Sequence, residues 1–210
     1  MRSQRTRSRI LAEALALFNE RGERNVTTGT IAESLGISPG NLYYHFRNKD
    51  EIVAALMRRF EERIDLEPGM ALDAPGAIED LWLYLHLTLE AIWEFRFLYR
   101  NLDDLAAREP RLRERFNRIA ERKFHGVVAV CEALTRTKAM RATADEIRTL
   151  ARNVLVVSTY WLNFQSLRGR AAPEVADLGL GAYQVMSLVA PYLAGEARRH
   201  LDRLSRAYVD

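Results

Sequence analysis

An all-α protein in two parts is the fold class the sequence predicts, and three observations lead there. Apolar residues recur at helical spacing almost everywhere and almost never alternate with period two. Glycines, prolines and small capping residues punctuate that pattern at helix-length intervals. One cluster of breakers, Pro68, Gly69, Asp73, Pro75 and Gly76, separates a shorter N-terminal part from a longer remainder. The expected organisation is therefore a domain over 1–66 and a second over 67–210. With 210 residues, 48% hydrophobic and 28% charged, the chain can bury a sizeable core and has an ordinary globular balance. No apolar run reaches the roughly 18 residues that a membrane helix needs. The opening MRSQRTRSR has no apolar stretch behind its arginines, so a cytoplasmic protein without membrane association is expected.

The elements follow in order. A first helix runs from about Thr6 to Arg21, with Ile10, Leu11, Ala14, Leu15 and Phe18 on one face and Gly22 closing it. A second runs from about Thr28 to Leu35, capped by Thr27 or Thr28 and ended by Gly36. A third has Ser38 as cap and Pro39 at its first position, and reaches Phe46. Asn48 caps a fourth, from Lys49 to about Leu66, with Asp50 and Glu51 in the first turn where the helix dipole favours anions. Beyond the breakers, helices are expected at 76–95, 97–107, 110–136, 143–168, 174–193 and 195–207. The 76–95 helix is apolar nearly all round, as a central buried helix is.

Net charge is +3, and its location matters more than its size. Residues 1–50 hold 8 Lys/Arg against 5 Asp/Glu, and the remaining 160 residues are balanced. The N-terminal part is thus the part suited to a polyanion. Within it, residues 28–46 read TGTIAESLGISPGNLYYHF. A helix-turn-helix needs a small residue where its helices cross, here Ala32, and a residue tolerant of positive φ at the turn, here Gly36. Ile31, Leu35, Ile37 and Leu42 can lock the pair against Phe18 and the fourth helix. The remaining face of the third helix, Gly40, Asn41, Tyr43, Tyr44 and His45, is polar and aromatic rather than rich in Glu and Lys. Such a face suits base edges, thymine methyls and phosphates. Arg2, Arg5, Arg7 and Arg9 fit either an arm reaching DNA or a solvated tail.

The segment from Arg9 to Leu56 resembles the DNA-binding domain of the TetR family of repressors. LFNERG closes its opening helix, and TTGTIAESLGISPGNLYYHFRNKDEIV follows. The resemblance implies that Thr28 contacts phosphate, and that Tyr43, His45 and Lys49 clamp the DNA backbone. It implies that Gly40, Asn41 and Tyr44 read bases in the major groove of double-stranded DNA. Gly29 departs from relatives that carry a long basic side chain there. Leu42 and Phe46 read as core. The implied whole is a homodimeric repressor whose larger helical domain binds a small-molecule effector.

Residues 80–165 are dense in aromatics. By the same resemblance, an apolar or aromatic effector is expected among Trp82, His86, Leu89, Trp93, Phe97, Phe124, His125 and Trp161, with His86, His125, Asn163 and Gln165 as polar candidates. Any single one reads equally as ordinary core. The dimer interface is expected on 143–168 and 174–193, through Val154, Ser158, Trp161, Leu162, Tyr183, Met186, Val189 and Ala190. Small residues at Gly179, Gly181 and Ala182 allow close helix approach. The 97–107 helix is the expected coupling element. No cofactor, metal site or catalytic residue is expected. The four histidines are scattered, Cys131 is the single cysteine, and no phosphate-binding loop, nucleophile elbow or dinucleotide fingerprint occurs. Glu196 and His200 read as a surface pair rather than as metal ligands. Two alternatives stay open: a DNA-binding regulator without an effector, and a helical small-molecule binder without DNA function.

Overall fold

A computed structural model describes residues 2–65, 78–167 and 175–206. The expected breaker cluster at 68–76 lies outside them. Eleven α-helices appear among the described residues, with two 3-10 turns and, as the sole extended pairing there, an isolated bridge between Met140 and Leu193. The all-α expectation holds. The chain forms two compact units, one of residues 1–63 with 94–113 and one of residues 64–93 with 114–210.

The first unit contains α1 (Arg2–Arg21), α2 (Thr28–Ser34), α3 (Pro39–His45), most of α4 (Lys49–Asp65), α6 (Arg96–Arg100) and α7 (Leu102–Arg108). Gly22 ends α1 at φ 82°, a left-handed conformation that favours glycine. Ile10, Leu11, Ala14 and Phe18, spaced along one face of α1, are buried with Ile31, Leu42, Ile52 and Leu56. Phe18 meets Phe97 at 5.2 Å between ring centres, and Phe60 meets Phe95 and Tyr99, each at 5.6 Å. Asn19 is buried among them with both ends of its amide used. Its Nδ2 donates to the Glu94 carbonyl at 2.8 Å, and its Oδ1 accepts from the Phe97 amide at 3.0 Å. The stretch expected as one helix at 97–107 is two, α6 and α7. Asn101 stands between them and donates its side chain back to the Phe97 carbonyl at 3.0 Å, a local bond that competes with helix continuation.

The second unit is built on α5 (Ile78–Glu94), α8 (Pro110–Arg136), α9 (Ala144–Leu167), α10 (Val175–Val189) and α11 (Gly195–Arg206). Thr143 and Glu146 form a reciprocal cap at the start of α9: Thr143 Oγ1 accepts from the Glu146 amide, and Glu146 Oε2 accepts from the Thr143 amide at 2.7 Å. Those donors hold the Glu146 carboxyl below its usual range, so the cap's contribution is complete at neutral pH and fades as pH falls through the depressed value. The helix expected to 193 ends at Val189, and Ala190–Tyr192 tighten into a 3-10 turn around Pro191, which has no amide to donate. The Ala190 carbonyl accepts from the Leu193 amide at 3.2 Å and from Arg198 Nη1 at 2.9 Å.

Helices α9 and α10 pack through a tight seam. Trp161 Nε1 donates to the Asp177 carbonyl at 2.6 Å. A Cβ placed on Gly181 would stand 2.7 Å from Trp161 Cδ1 and 3.0 Å from its Nε1. Here the absence of a side chain is a packing requirement, since the indole ring is braced by its own hydrogen bond. Gly181→Ala is expected to cost about 1–3 kcal/mol as an overpacked seam, read as a shift of the urea midpoint at unchanged slope. An unchanged midpoint would show that the seam opens freely.

Candidate nucleic-acid interface

The helix pair α2–α3 is set by local chemistry. Thr27 caps α2 by accepting from the Thr30 amide at 3.1 Å, and Ser38 caps α3 by accepting from the Asn41 amide at 3.2 Å. Between them Gly36 sits at φ 63°, and the Ile37 amide closes the turn on the Ala32 carbonyl at 3.0 Å. Ala32 is buried at the crossing. Leu42 and Phe46, four residues apart, both point into the core, which turns the other face of α3 to solvent. Gly40, Asn41, Tyr43 and Tyr44 are all exposed, Tyr44 by 78%, while His45 is half-buried with its ring edge-on to Tyr44 at 5.1 Å. A large aromatic side chain held so far in solvent gains nothing from its own fold.

Beside this face lies a cleft of about 290 Å³ lined by Val26, Thr27, Thr28, Tyr43, Arg47, Asn48 and Lys49. The Thr28 hydroxyl and the Tyr43 phenol stand 3.1 Å apart and form one hydrogen-bonded pair across it. The opposite wall is the start of α4. There Asn48 Oδ1 accepts from the Glu51 amide at 2.9 Å, and Glu51 accepts from the Arg47 amide at 2.9 Å. Hydroxyls, a cation and the positive end of a helix dipole in one concavity are the groups a phosphate needs. Thr28, Tyr43 and Lys49, scattered in sequence, thus come together. The sequence reading missed Arg47 as a lining residue; the signal for it was an exposed cation between the third and fourth helices.

Lys49 is turned inward. Its Nζ donates to the Glu23 carbonyl at 2.8 Å and lies 2.9 Å from Glu23 Oε1. Glu23 is fully buried, and its other carboxylate oxygen accepts from Arg108 Nη2 at 2.7 Å. Arg108 reaches on to Asp104 at 3.2 Å, and Arg24 pairs with the same carboxylate. The hydrogen bond from Arg24 holds the Asp104 carboxyl below its usual range, against the opposing effect of burial. The four N-terminal arginines belong to α1 rather than to an extended arm, and the Arg7 guanidinium lies over the Phe46 ring, 4.7 Å from its centre.

The candidate effector residues differ in burial and setting. Trp82 lines an apolar cavity of about 30 Å³ inside the second unit, and Val154, Ser158, Met186 and Val189 line it too, although they were expected at the dimer interface. Leu89 is buried, and Trp93 and Phe124 are half-buried. Phe97 belongs to the first unit, against Phe18. His86 stacks on Trp82 and lies 3.2 Å from Glu90; His125 is exposed beside Glu121. Trp161 is spent on the α9–α10 seam. Of the interface candidates, Val154, Ser158, Leu162, Met186, Val189 and Ala190 are buried within their own chain, and Tyr183 is half-buried. An enclosed side chain has no surface left for a second copy. The exposed apolar stripe of α9 lies on another face: Val156, Tyr160, Phe164 and Leu167.

The family model described as bacterial transcriptional repressor, TetR, matches residues 49–201, and that of bacterial regulatory proteins, tetR family, matches residues 10–56. The transcriptional regulator UidR of Escherichia coli (strain K12) is 39% identical over 61 residues, covering 29% of this chain and 31% of that protein. The repressor KstR2 of Mycobacterium tuberculosis (strain ATCC 25618 / H37Rv) is 46% identical over 54 residues, 26% of this chain and 27% of its own. Both matches span less than a third of the relative's length. A TetR-family regulator from Marinobacter aquaeolei VT8 superposes with TM-score 0.88 at 35% identity, over 97% of this chain and 98% of that one. The structure of KstR2 superposes with TM-score 0.65 at 23% identity, over 90% and 96%, a likeness of fold alone.

Lys49 compensates a carboxylate that has no solvent. Lys49→Met is expected to lower stability by about 3 kcal/mol, because a buried charge loses one of its two cations. Adding Glu23→Gln should return part of that loss. Chemical denaturation of the two single variants and the double variant measures the coupling; independent, additive effects would mean that Lys49 does not support Glu23.

Proposed function

This chain belongs to the TetR family of bacterial regulatory proteins, and we propose from that premise that it binds a palindromic operator in double-stranded DNA as a homodimer, represses, and is released by a small molecule. The observation that carries DNA binding is the solvent-held face of α3 beside the Thr28–Tyr43 cleft. In this reading Gly40, Asn41 and Tyr44 meet base edges. Thr28, Tyr43 and Arg47 hold phosphates, with His45 supporting Tyr44 and Lys49 fixing the start of α4. Gly40 has open space around its Cβ position, so a close approach to DNA rather than internal packing accounts for a glycine there.

One recognition helix reads one half-site. A two-fold pair presents two, roughly 34–36 Å apart, one turn of B-DNA. The surface we assign to that pairing is the α9 stripe of Val156, Tyr160, Phe164 and Leu167, the last 85% exposed. It replaces the buried residues first expected, while keeping the same helix. The effector we place in the cavity beside Trp82 and Val154. The chain passes from one unit to the other within α4, α5 and α8. A ligand that parts α5 from α8 therefore acts on helices whose far ends belong to the DNA-binding unit. Release requires different affinity for the two states; about 2 kcal/mol of coupling is roughly a thirtyfold loss of DNA affinity. A second reading, DNA binding without an effector, draws on the smallness of the cavity, room for roughly two water molecules at about 30 Å³. Compounds that stabilise the protein yet leave operator affinity unchanged would favour it.

Asn41→Ala is expected to lose about 1–3 kcal/mol on the correct operator and to relax one base position. Arg47→Ala should weaken all DNA alike and lower the salt slope by about one. Binding titrations on operator and scrambled duplexes at several salt concentrations separate the two roles, and identical behaviour would overturn the division. Phe164→Asp should convert a dimer to a monomer in sedimentation and weaken operator binding with it. A Phe164→Asp dimer of wild-type affinity would remove α9's exposed face from the interface.

A further inference from the structure

The cleft beside α3 has two walls that come from different parts of the chain. Thr27 and Thr28 line one; Tyr43, Arg47 and Lys49 line the other. The hydrogen bond that spans them, between Thr28 and Tyr43, joins two hydroxyls open to solvent, where water competes for each. Such a bond does not by itself fix the spacing of the walls. A stronger tie runs through Glu23, on the 3-10 turn Glu23–Asn25 that leads into the first wall. Lys49 Nζ, from the second wall, donates to the Glu23 carbonyl at 2.8 Å and lies 2.9 Å from Glu23 Oε1.

That turn is gripped from α7 at two successive residues. Arg108 Nη2 donates to Glu23 Oε2 at 2.7 Å, and Arg24 Nε donates to Asp104 Oδ2 at 2.9 Å. Asp104 and Arg108 are four residues apart, so they share one face of α7, and Arg108 Nε lies 3.2 Å from Asp104 Oδ2. Neither of them lines the cleft. The two grips differ in weight. Arg24 is largely exposed, and an ion pair in solvent contributes little. The Glu23 side chain has no exposure at all, so its carboxylate relies on Lys49 and Arg108 in place of water. Without Arg108 one of those two cations is gone, and the carboxylate gains by moving toward solvent. Such a movement carries the turn with it, and Thr28 away from Tyr43.

We propose that Arg108 is a positioning residue for DNA binding. Through Glu23 and Lys49 it holds the two walls of the phosphate cleft at one spacing, while touching no DNA itself. Hydrogen bonds to phosphate are lost when donor and acceptor part by a few tenths of an ångström beyond about 3.2 Å, so wall spacing bears directly on affinity. This assignment rests on the DNA-binding reading above and adds to it a residue outside the interface.

The test uses the full-length protein and a fixed mixed-sequence DNA duplex, because contacts to phosphate do not depend on sequence. Fluorescence anisotropy at several salt concentrations gives affinity and salt slope, and stoichiometric titration gives the active fraction. Arg108→Met is expected to bind about tenfold more weakly, the loss of one or two phosphate hydrogen bonds. Its salt slope should equal that of the wild type, whereas Arg47→Ala lowers the slope by about one. Tyr43→Phe removes one side of the cleft pair. In that background Arg108→Met should cost less than about threefold, the non-additivity expected when both act on one site. Should Arg108→Met fail to fold, the comparison moves to Glu23→Gln, where no buried carboxylate is left short of a cation. Adding Arg108→Met there should still weaken binding several-fold, circular dichroism showing that both variants are folded. Folded Arg108 variants with undiminished affinity would assign the residue to stability alone and overturn the proposal. A slope that falls by about one would make Arg108 a direct phosphate contact, and full additivity with Tyr43→Phe would take its effect away from the cleft; either result overturns the positioning role. A wild-type protein that binds no duplex removes the DNA-binding reading itself, and this assignment with it. Wild-type binding that is indifferent to Arg108 leaves that reading standing and removes this assignment only.

Discussion

A carboxylate without water is the constraint on which the first unit depends. Glu23 follows directly on the glycine that ends α1, and it is wholly enclosed. Its charge is tolerated because Lys49 from the first turn of α4 and Arg108 from the last turn of α7 close on it from separate elements. Removing a carboxylate from water costs several kcal/mol, and only well-placed cations offset this. The arrangement therefore has little freedom: α4 must begin where its lysine reaches Glu23, and α7 must end where its arginine does. The outer pair, Arg24 with Asp104, is exposed to solvent and contributes little by itself. Its effect is to orient Asp104 toward Arg108, and so to brace the buried contact.

That anchoring matters because the helices that carry the candidate interface cannot stand alone. Seven residues each, α2 and α3 are far below the length at which isolated helices persist. They are held by caps at Thr27 and Ser38, by the glycine turn, and by Ile31, Leu42 and Phe46 in the core. With the apolar residues of α3 committed inward, its other face is free to present Asn41 and Tyr44. The position of that face then follows from α4 and from whatever holds the start of α4 in place. Lys49 accordingly has structural work at the edge of the cleft, while the exposed Arg47 beside it has no partner role in the core and is the freer cation to meet a phosphate.

The second unit solves a different problem. Helices α5, α9 and α10 are apolar on average, so periodicity alone does not fix which face of each is buried, and single contacts set their approach. The Trp161 indole, bonded to the Asp177 carbonyl and pressed on Gly181, admits one approach of α9 to α10. With that approach chosen, Val154 and Ser158 turn to the cavity while Val156 and Phe164 turn to solvent.

Local chemistry was readable in the sequence because its causes are local. Gly36 at the turn, Ser38 and Pro39 at the start of α3, Asn48 before α4, and the inward pair Leu42 and Phe46 all follow from φ preferences, capping and the 3.6-residue period. They suffice for the helix-turn-helix and for the exposed face of α3. Tertiary structure alone decided which way a long side chain turns and which of two apolar faces is buried. Lys49 reads as a surface cation until Glu23, 26 residues earlier, is seen to be enclosed beside it. Phe97 reads as one more aromatic of the larger domain until Asn19 and Phe18 take it into the first unit. On α9, periodicity marks Val154, Ser158 and Leu162 as one stripe and Val156, Tyr160 and Phe164 as another with no means of ranking them. Burial depends on which neighbour arrives, and that neighbour comes from far along the chain.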